Sequence, residues 1–162
     1  MKQKSSRFSE KAVNYFKQDY NCAQSVLLTM QEYYGVQRDT LIPKIATAFG
    51  GGIGRRGSLC GALTGAIISV GLKHGTNSTS LKKKKESYKI AQQVYTRFIE
   101  ECGSPFCREL IGYDLNDPED VKAMHKMKVR DKKCTRFVRN AVEILIDLET
   151  KNQPKKNKKT KK

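Results

Sequence analysis

The chain has 162 residues, a formal net charge of +16, five Cys and no Trp. Its length suits one domain with its own core, and an odd cysteine count excludes a fully paired disulfide framework, leaving thiols, metal ligands or a redox pair. The basic balance favours anionic partners, yet there is no interleaved basic and aromatic platform to specify nucleic acid.

The opening MKQKSSRFSEKAVNYF lacks the apolar core of a secretory signal. The expectation is therefore a cytoplasmic protein whose cysteines stay reduced. SEKAVNYFKQ predicts a helix with Ala12, Val13, Tyr15 and Phe16 on one side. CAQSVLLTMQEYY resumes the helical period through Cys22, Val26, Met30 and Tyr33, with Asn21 as N-cap and Gly35 as the stop. IPKIATAFG predicts a shorter helix, with Pro43 near its start and Gly50 near its end.

Next comes FGGGIGRRGSLCGALTGA, with five glycines between Gly50 and Gly57. Gly52, Gly54 and Gly57 spell GxGxxG, but the preceding segment reads as helix and no acid follows about 20 residues on, so a dinucleotide fingerprint is rejected. Ser58 reads as the N-cap of a helix ending at Gly75, which puts Cys60 in the first turn beside Arg55 and Arg56. These two arginines are the candidate cofactor contacts. The apolar run from Leu59 to Leu72 is too short to span a bilayer and reads as a core helix. Its Gly61, Gly65 and Ser69 stripe admits another backbone, from a neighbouring helix or a second subunit in a homodimer.

LKKKKESYKIAQQVYTRFIEECG predicts a long amphipathic helix with Tyr88, Ala91, Tyr95, Phe98 and Cys102 on its stripe. SPFCRELIG reads as a short helix capped by Ser104, with Pro105 at its first position. DPEDVKAMHKM repeats that pattern with Asp117 and Pro118, which accounts for the Asp114, Asp117, Glu119 and Asp120 acids without a cation site. The last helix runs from about Asp131 to Thr150 on Cys134, Val138, Ala141, Leu145 and Leu148. The prediction is all-α: a single-domain bundle of six to eight helices over residues 1–150. KNQPKKNKKTKK (151–162), with seven lysines, is expected to be a disordered tail that can meet nucleic acid or an acidic partner.

Cys22, Cys60, Cys107 and Cys134 each fall in the first turn of a predicted helix behind a capping residue, where the dipole favours a thiolate. Cys102 sits at a helix C-terminus, where it does not. One helix end shifts a thiol by about one pKa unit or less. Four converging thiolates therefore need a metal ion, an iron–sulfur cluster, disulfide pairing or protonation to offset their repulsion. No CxxC is present, so any site is assembled from distant segments. His74 and His125 show no recognisable spacing to a cysteine.

NCAQSVL, FGGGIGRRGSLCGALTGAIISVGL, CGSPFCRELIGYD and CTRFVRNAVEIL, in this order, resemble the C_GCAxxG_C_C family of redox-active proteins, with Cys60–Gly65 similar to its CGAxxG signature. The resemblance covers roughly residues 8–148. It implies a small helical protein with a redox or metal role, and it carries over Cys22, Cys60, Cys107 and Cys134 as catalytic residues or metal ligands, with Zn or an iron–sulfur cluster as the candidate cofactor and a redox partner to exchange electrons. Cys60 and Cys107 are the candidate pair for dithiol–disulfide exchange.

Overall fold

A computed structural model describes residues 2–152. Eight α-helices are found among them and no strand, in agreement with the all-α reading. Helix α1 (Lys2–Lys17) lies along α8 (Thr135–Asn152), and α2 (Cys22–Tyr33) packs against α4 (Gly61–His74). Helix α5 (Leu81–Cys102) closes the bundle against α4 and α8. Of the short helices, α3 (Leu41–Ile45) packs against α2 and α6 (Cys107–Ile111) against the turn Arg130–Cys134, with α7 (Pro118–Lys126) between α6 and that turn in the chain. Lys151 and Asn152, read above as tail, end α8; the rest of the lysine-rich segment lies outside the described residues.

The core follows the predicted stripes. Phe16, Val26, Met30, Leu63, Val70, Val94, Phe98, Val138, Ala141 and Leu145 form one buried cluster drawn from five helices. Each such side chain contributes about 1.5–3 kcal/mol when fully buried. On α5 the buried line is Val94 and Phe98, with Ile90 and Ala91 beside it; Tyr88 and Tyr95 are 61% and 39% exposed. The predicted stripe on that helix is therefore correct at Ala91, Phe98 and Cys102, whereas Tyr88 and Tyr95 lie outside the buried line.

The small-residue face of α4 meets α2 of the same chain. A Cβ on Gly65 would lie 2.6 Å from the Ala23 carbonyl oxygen and 2.8 Å from the Ala23 Cα. Ser69 is fully buried and donates to the Gly65 carbonyl at 2.8 Å. This close approach fixes the start of α2 against the start of α4.

Three predicted helix starts shift. Helix α4 begins at Gly61 with Cys60 as its N-cap, rather than Ser58. Helix α6 begins at Cys107 with Phe106 as N-cap; Ser104 instead accepts the Phe106 amide at 3.0 Å, and Pro105 stays outside the helix. Asp131 caps nothing: it lies inside a π-helical turn, Arg130–Cys134, that runs into α8. Asn21 is the cap predicted for α2, and it forms a full capping box with Gln24 at 2.9 and 3.0 Å. Asn21 also donates to the Thr47 carbonyl at 2.8 Å, tying α2 to the 3-10 turn Thr47–Phe49 that precedes the glycine loop. Asn21→Ala is expected to cost about 1 kcal/mol or somewhat more, read from urea unfolding; no loss would show that the cap is idle.

Candidate functional site

Residues Gly50–Leu59 form a loop folded on itself. Gly54, Gly57 and Ser58 donate to the carbonyls of Ala48, Gly51 and Gly52 at 2.7, 3.1 and 3.0 Å. A short 3-10 turn, Thr47–Phe49, precedes it, so the strand that a dinucleotide fingerprint requires is not there. At Gly52 the backbone is left-handed (φ +71°), and a Cβ would lie 2.6 Å from the Cys107 Cβ. Only glycine lets the loop lie this close to Cys107.

The loop leads directly to a pair of antiparallel segments. Leu59 and Phe106 form an isolated β-bridge. The Cys60 amide donates to the Pro105 carbonyl, and the Cys107 amide to the Ser58 carbonyl, both at 2.7 Å. Side chains alternate across such a bridge. Phe106 faces outward and is exposed, whereas Cys60 and Cys107 turn inward and are buried.

Cys22 enters from the first position of α2. Its sulfur occupies the space above Gly61, where a Cβ would come within 2.4 Å of it. Cys134 sits at the end of the π-helical turn and packs between the main core and the cluster of Cys107, Ile111 and Val129. Cys22, Cys107 and Cys134 line a single cavity of about 490 Å³, and Cys60 lies within electrostatic range of Cys22 and Cys107. Four segments remote in sequence thus bring four cysteines into one neighbourhood. Cys102 lies apart, with its sulfur accepting from Asn140 at 3.6 Å.

The helix-dipole argument for low thiol pKa values does not hold here. Burial pushes the thiols of Cys107 and Cys134 up to about 12, and proximity to Cys22 adds to both shifts. Burial raises Cys60 further, with Cys22 adding to it, and only the amides of Ala62 and Leu63 oppose the rise. Cys22 is also raised by burial, against the amides of Gly51, Cys22 and Ala23 and the charge of Arg130. Desolvation of a charged sulfur outweighs one turn of helix dipole. At pH 7.5, iodoacetamide is therefore expected to modify Cys107 and Cys134 at least about tenfold more slowly than free cysteine, because each unit of upward shift removes about tenfold of the thiolate. Quantitative mass spectrometry of the alkylated peptides checks this, and rates equal to free cysteine would contradict it.

Two arginines reach the cavity, and only one was read from the sequence. Arg55 lines it from the loop at φ +66°, and no carboxylate pairs with it among the described residues. Arg56, exposed like Arg55, does not line the cavity. Arg130 went unread. It stacks over the Phe16 ring at 4.2 Å, donates to the Phe16 and Tyr20 carbonyls at 2.7 and 3.3 Å, and reaches Asp19 at 3.2 Å. Its position four residues before Cys134 was the available signal. The π-helical turn, which sequence does not announce, sets how its side chain lies.

The profile of the family described as "Putative redox-active protein (C_GCAxxG_C_C)" matches residues 20–148. The chain belongs to the C_GCAxxG_C_C family. It is also similar to an uncharacterized protein of Archaeoglobus fulgidus, 25% identical over 151 residues that span 89% of this chain and 94% of the relative. No solved structure matches it.

Within this C_GCAxxG_C_C chain, four thiols are a donor set that suits tetrahedral zinc or an iron–sulfur cluster. The donor types fit, but their placement does not: among the described residues, no group of three or more His, Cys, Asp or Glu is positioned to hold a metal ion. His74 bonds to Glu149 at 2.5 Å, and neither it nor the exposed His125 lines the cavity. Asp117 caps α7 by accepting from the Glu119 amide at 2.9 Å, as the acid pattern predicted. Among the described residues, no helix is long and apolar enough to cross a membrane.

Proposed function

We propose that this protein carries out thiol–disulfide redox chemistry at its four clustered cysteines, with Cys60 and Cys107 as the pair that exchanges between dithiol and disulfide. What supports the reading is the inward turn of both side chains from one β-bridge, next to a cavity lined by Cys107, Cys22 and Cys134. Membership in a family described as redox-active supports it independently. Cys22 and Cys134 complete the cluster, and Cys102 takes no part.

The bridge register makes Cys60 and Cys107 diagonal rather than directly opposed, and diagonal neighbours are roughly 7–8 Å apart in regular pairs, somewhat less between Cβ atoms. A disulfide needs about 3.5–4.5 Å. Oxidation therefore requires a local shift, which the short helix α6 and the glycine loop accommodate more readily than the bundle does. Zinc or a cluster held by the same sulfurs is the alternative; it draws on the donor types alone. Thiol titration of anaerobically purified full-length protein, with and without reductant, tests the proposal together with metal analysis. The expected result is two thiols recovered on reduction and no stoichiometric metal. Stoichiometric zinc released only on unfolding would favour the metal reading. Five ordinary, redox-inert thiols would end both.

A further inference from the structure

The cavity beside the cysteines has a composition that selects its occupant. Its walls are apolar, from Phe16, Ile111, Leu115 and Met124. Three thiols line it. Its charged groups are Arg55, Arg130 and Asp19, and Asp19 is engaged by Arg130 at 3.2 Å. The uncompensated charge is therefore positive, and it is carried by Arg55. At about 490 Å³ the space falls within the range of small-molecule sites and is too small for a folded partner.

The three lining thiols are not equally open. Cys22 and Cys134 are half-buried, whereas Cys107 is 7% exposed. Cys60, at 5% exposed, lies off the cavity lining. Of the two half-buried thiols, Cys22 lies within electrostatic range of both Cys60 and Cys107, and it shares the cavity with Gly51, against which Arg55 folds back. An incoming sulfur can thus meet Cys22 while a carboxylate four residues further along the loop meets Arg55.

We infer that the cavity admits a low-molecular-weight disulfide carrying a carboxylate, with Arg55 holding the carboxylate and Cys22 as the entry thiol. This rests on the thiol–disulfide reading above and names its substrate class. The Cys22 thiolate attacks one sulfur of the substrate, forming a mixed disulfide and releasing the other half as a thiol. Cys107 then attacks the Cys22 sulfur, the second half leaves as a thiol, and a Cys22–Cys107 disulfide remains. Cys60 attacks Cys107 in turn and frees the Cys22 thiol, so the protein ends with a Cys60–Cys107 disulfide. In total, one substrate disulfide gains two electrons and two protons, and the protein dithiol loses them.

The test compares 3,3′-dithiodipropionate with cystamine, two small disulfides of similar length and opposite charge, on the reduced full-length protein. Thiol loss is followed over time, and adducts are mapped by mass spectrometry. The expected result is that the anionic disulfide reacts at least about tenfold faster. Arg55→Gln should bring the two rates within about threefold, whereas Lys89→Gln, the same charge change on α5, should leave the ratio intact. Cys107→Ser should trap the mixed disulfide on Cys22. Equal rates for both disulfides in the native chain, with oxidation still taking place, would overturn the substrate class and leave the thiol–disulfide reading standing. Equal effects of the two charge variants would likewise overturn it, because the preference would then reflect overall charge. Oxidation by neither compound would overturn both.

Discussion

Gly65→Ala is expected to lower the unfolding free energy by about 1–3 kcal/mol, whereas Gly71→Ala on the same helix is expected to raise it by about 0.4–1 kcal/mol. Both residues lie in α4, and alanine has the same helix propensity advantage at each. The surroundings decide the sign. A Cβ at Gly71 meets nothing within 4 Å, so only the helix preference counts. At Gly65 the new atom strikes the Ala23 backbone, which cannot rotate aside as a side chain can. Relief requires α2 to move away from α4, and Cys22 moves with it. Urea unfolding of the two variants measures both signs, and alkylation of Cys22 in Gly65→Ala reports whether the site loosened. Equal effects at the two positions would show that α2 and α4 do not meet as described.

Raising the pH is expected to destabilise the protein more steeply than any single substitution at the site. Burial holds Cys107 and Cys134 near 12, whereas an unfolded thiol titrates near 8.5. Below that lower value both states keep their protons, and the thiols contribute no pH dependence. Above it the unfolded chain binds fewer protons than the folded one, so stability falls as pH rises, by about 1.4 kcal/mol per unit for each thiol. By pH 10.5 the pair accounts for roughly 5 kcal/mol at most, comparable with the whole stability of a small domain. Tyr15, pushed up to about 12 by burial and by its bond to Glu32, adds a loss of the same sign above pH 10. Unfolding followed from pH 8 to 10.5 should show this slope, and Cys107→Ala with Cys134→Ala should flatten it. A slope unchanged in the double variant would mean that these thiols are not desolvated.

Periodicity made the helices legible. Val26 and Met30, or Val138, Ala141 and Leu145, recur at helical spacing because each line faces one core. Asn21 and Asp117 were readable as caps because their side chains bond the local backbone. Ser58 and Ser104 have the same chemistry but lie in segments whose backbone bonds go across the β-bridge instead. No local signal reports that bridge, since its partners are more than 40 residues apart.

The cysteine neighbourhood was legible in its membership but not in its electrostatics. Helix ends suggested thiolates, yet the same convergence that gathers Cys22, Cys60, Cys107 and Cys134 also removes water from them. Arg130 was missed because its role depends on a π-helical turn and on stacking over Phe16, both products of tertiary packing. Arg55 was found from its place beside the glycines, and the cavity distinguishes it from Arg56, which sequence could not do.

The redox chemistry proposed for this site turns on which sulfurs bond when the protein is oxidised. Differential alkylation and peptide mapping of full-length protein after anaerobic two-electron oxidation reads this directly. The predicted result is a Cys60–Cys107 disulfide, with Cys102 recovered entirely as a free thiol. Oxidation that joins Cys102 to another cysteine, or that leaves all five thiols reduced where a simple dithiol oxidises, would contradict it.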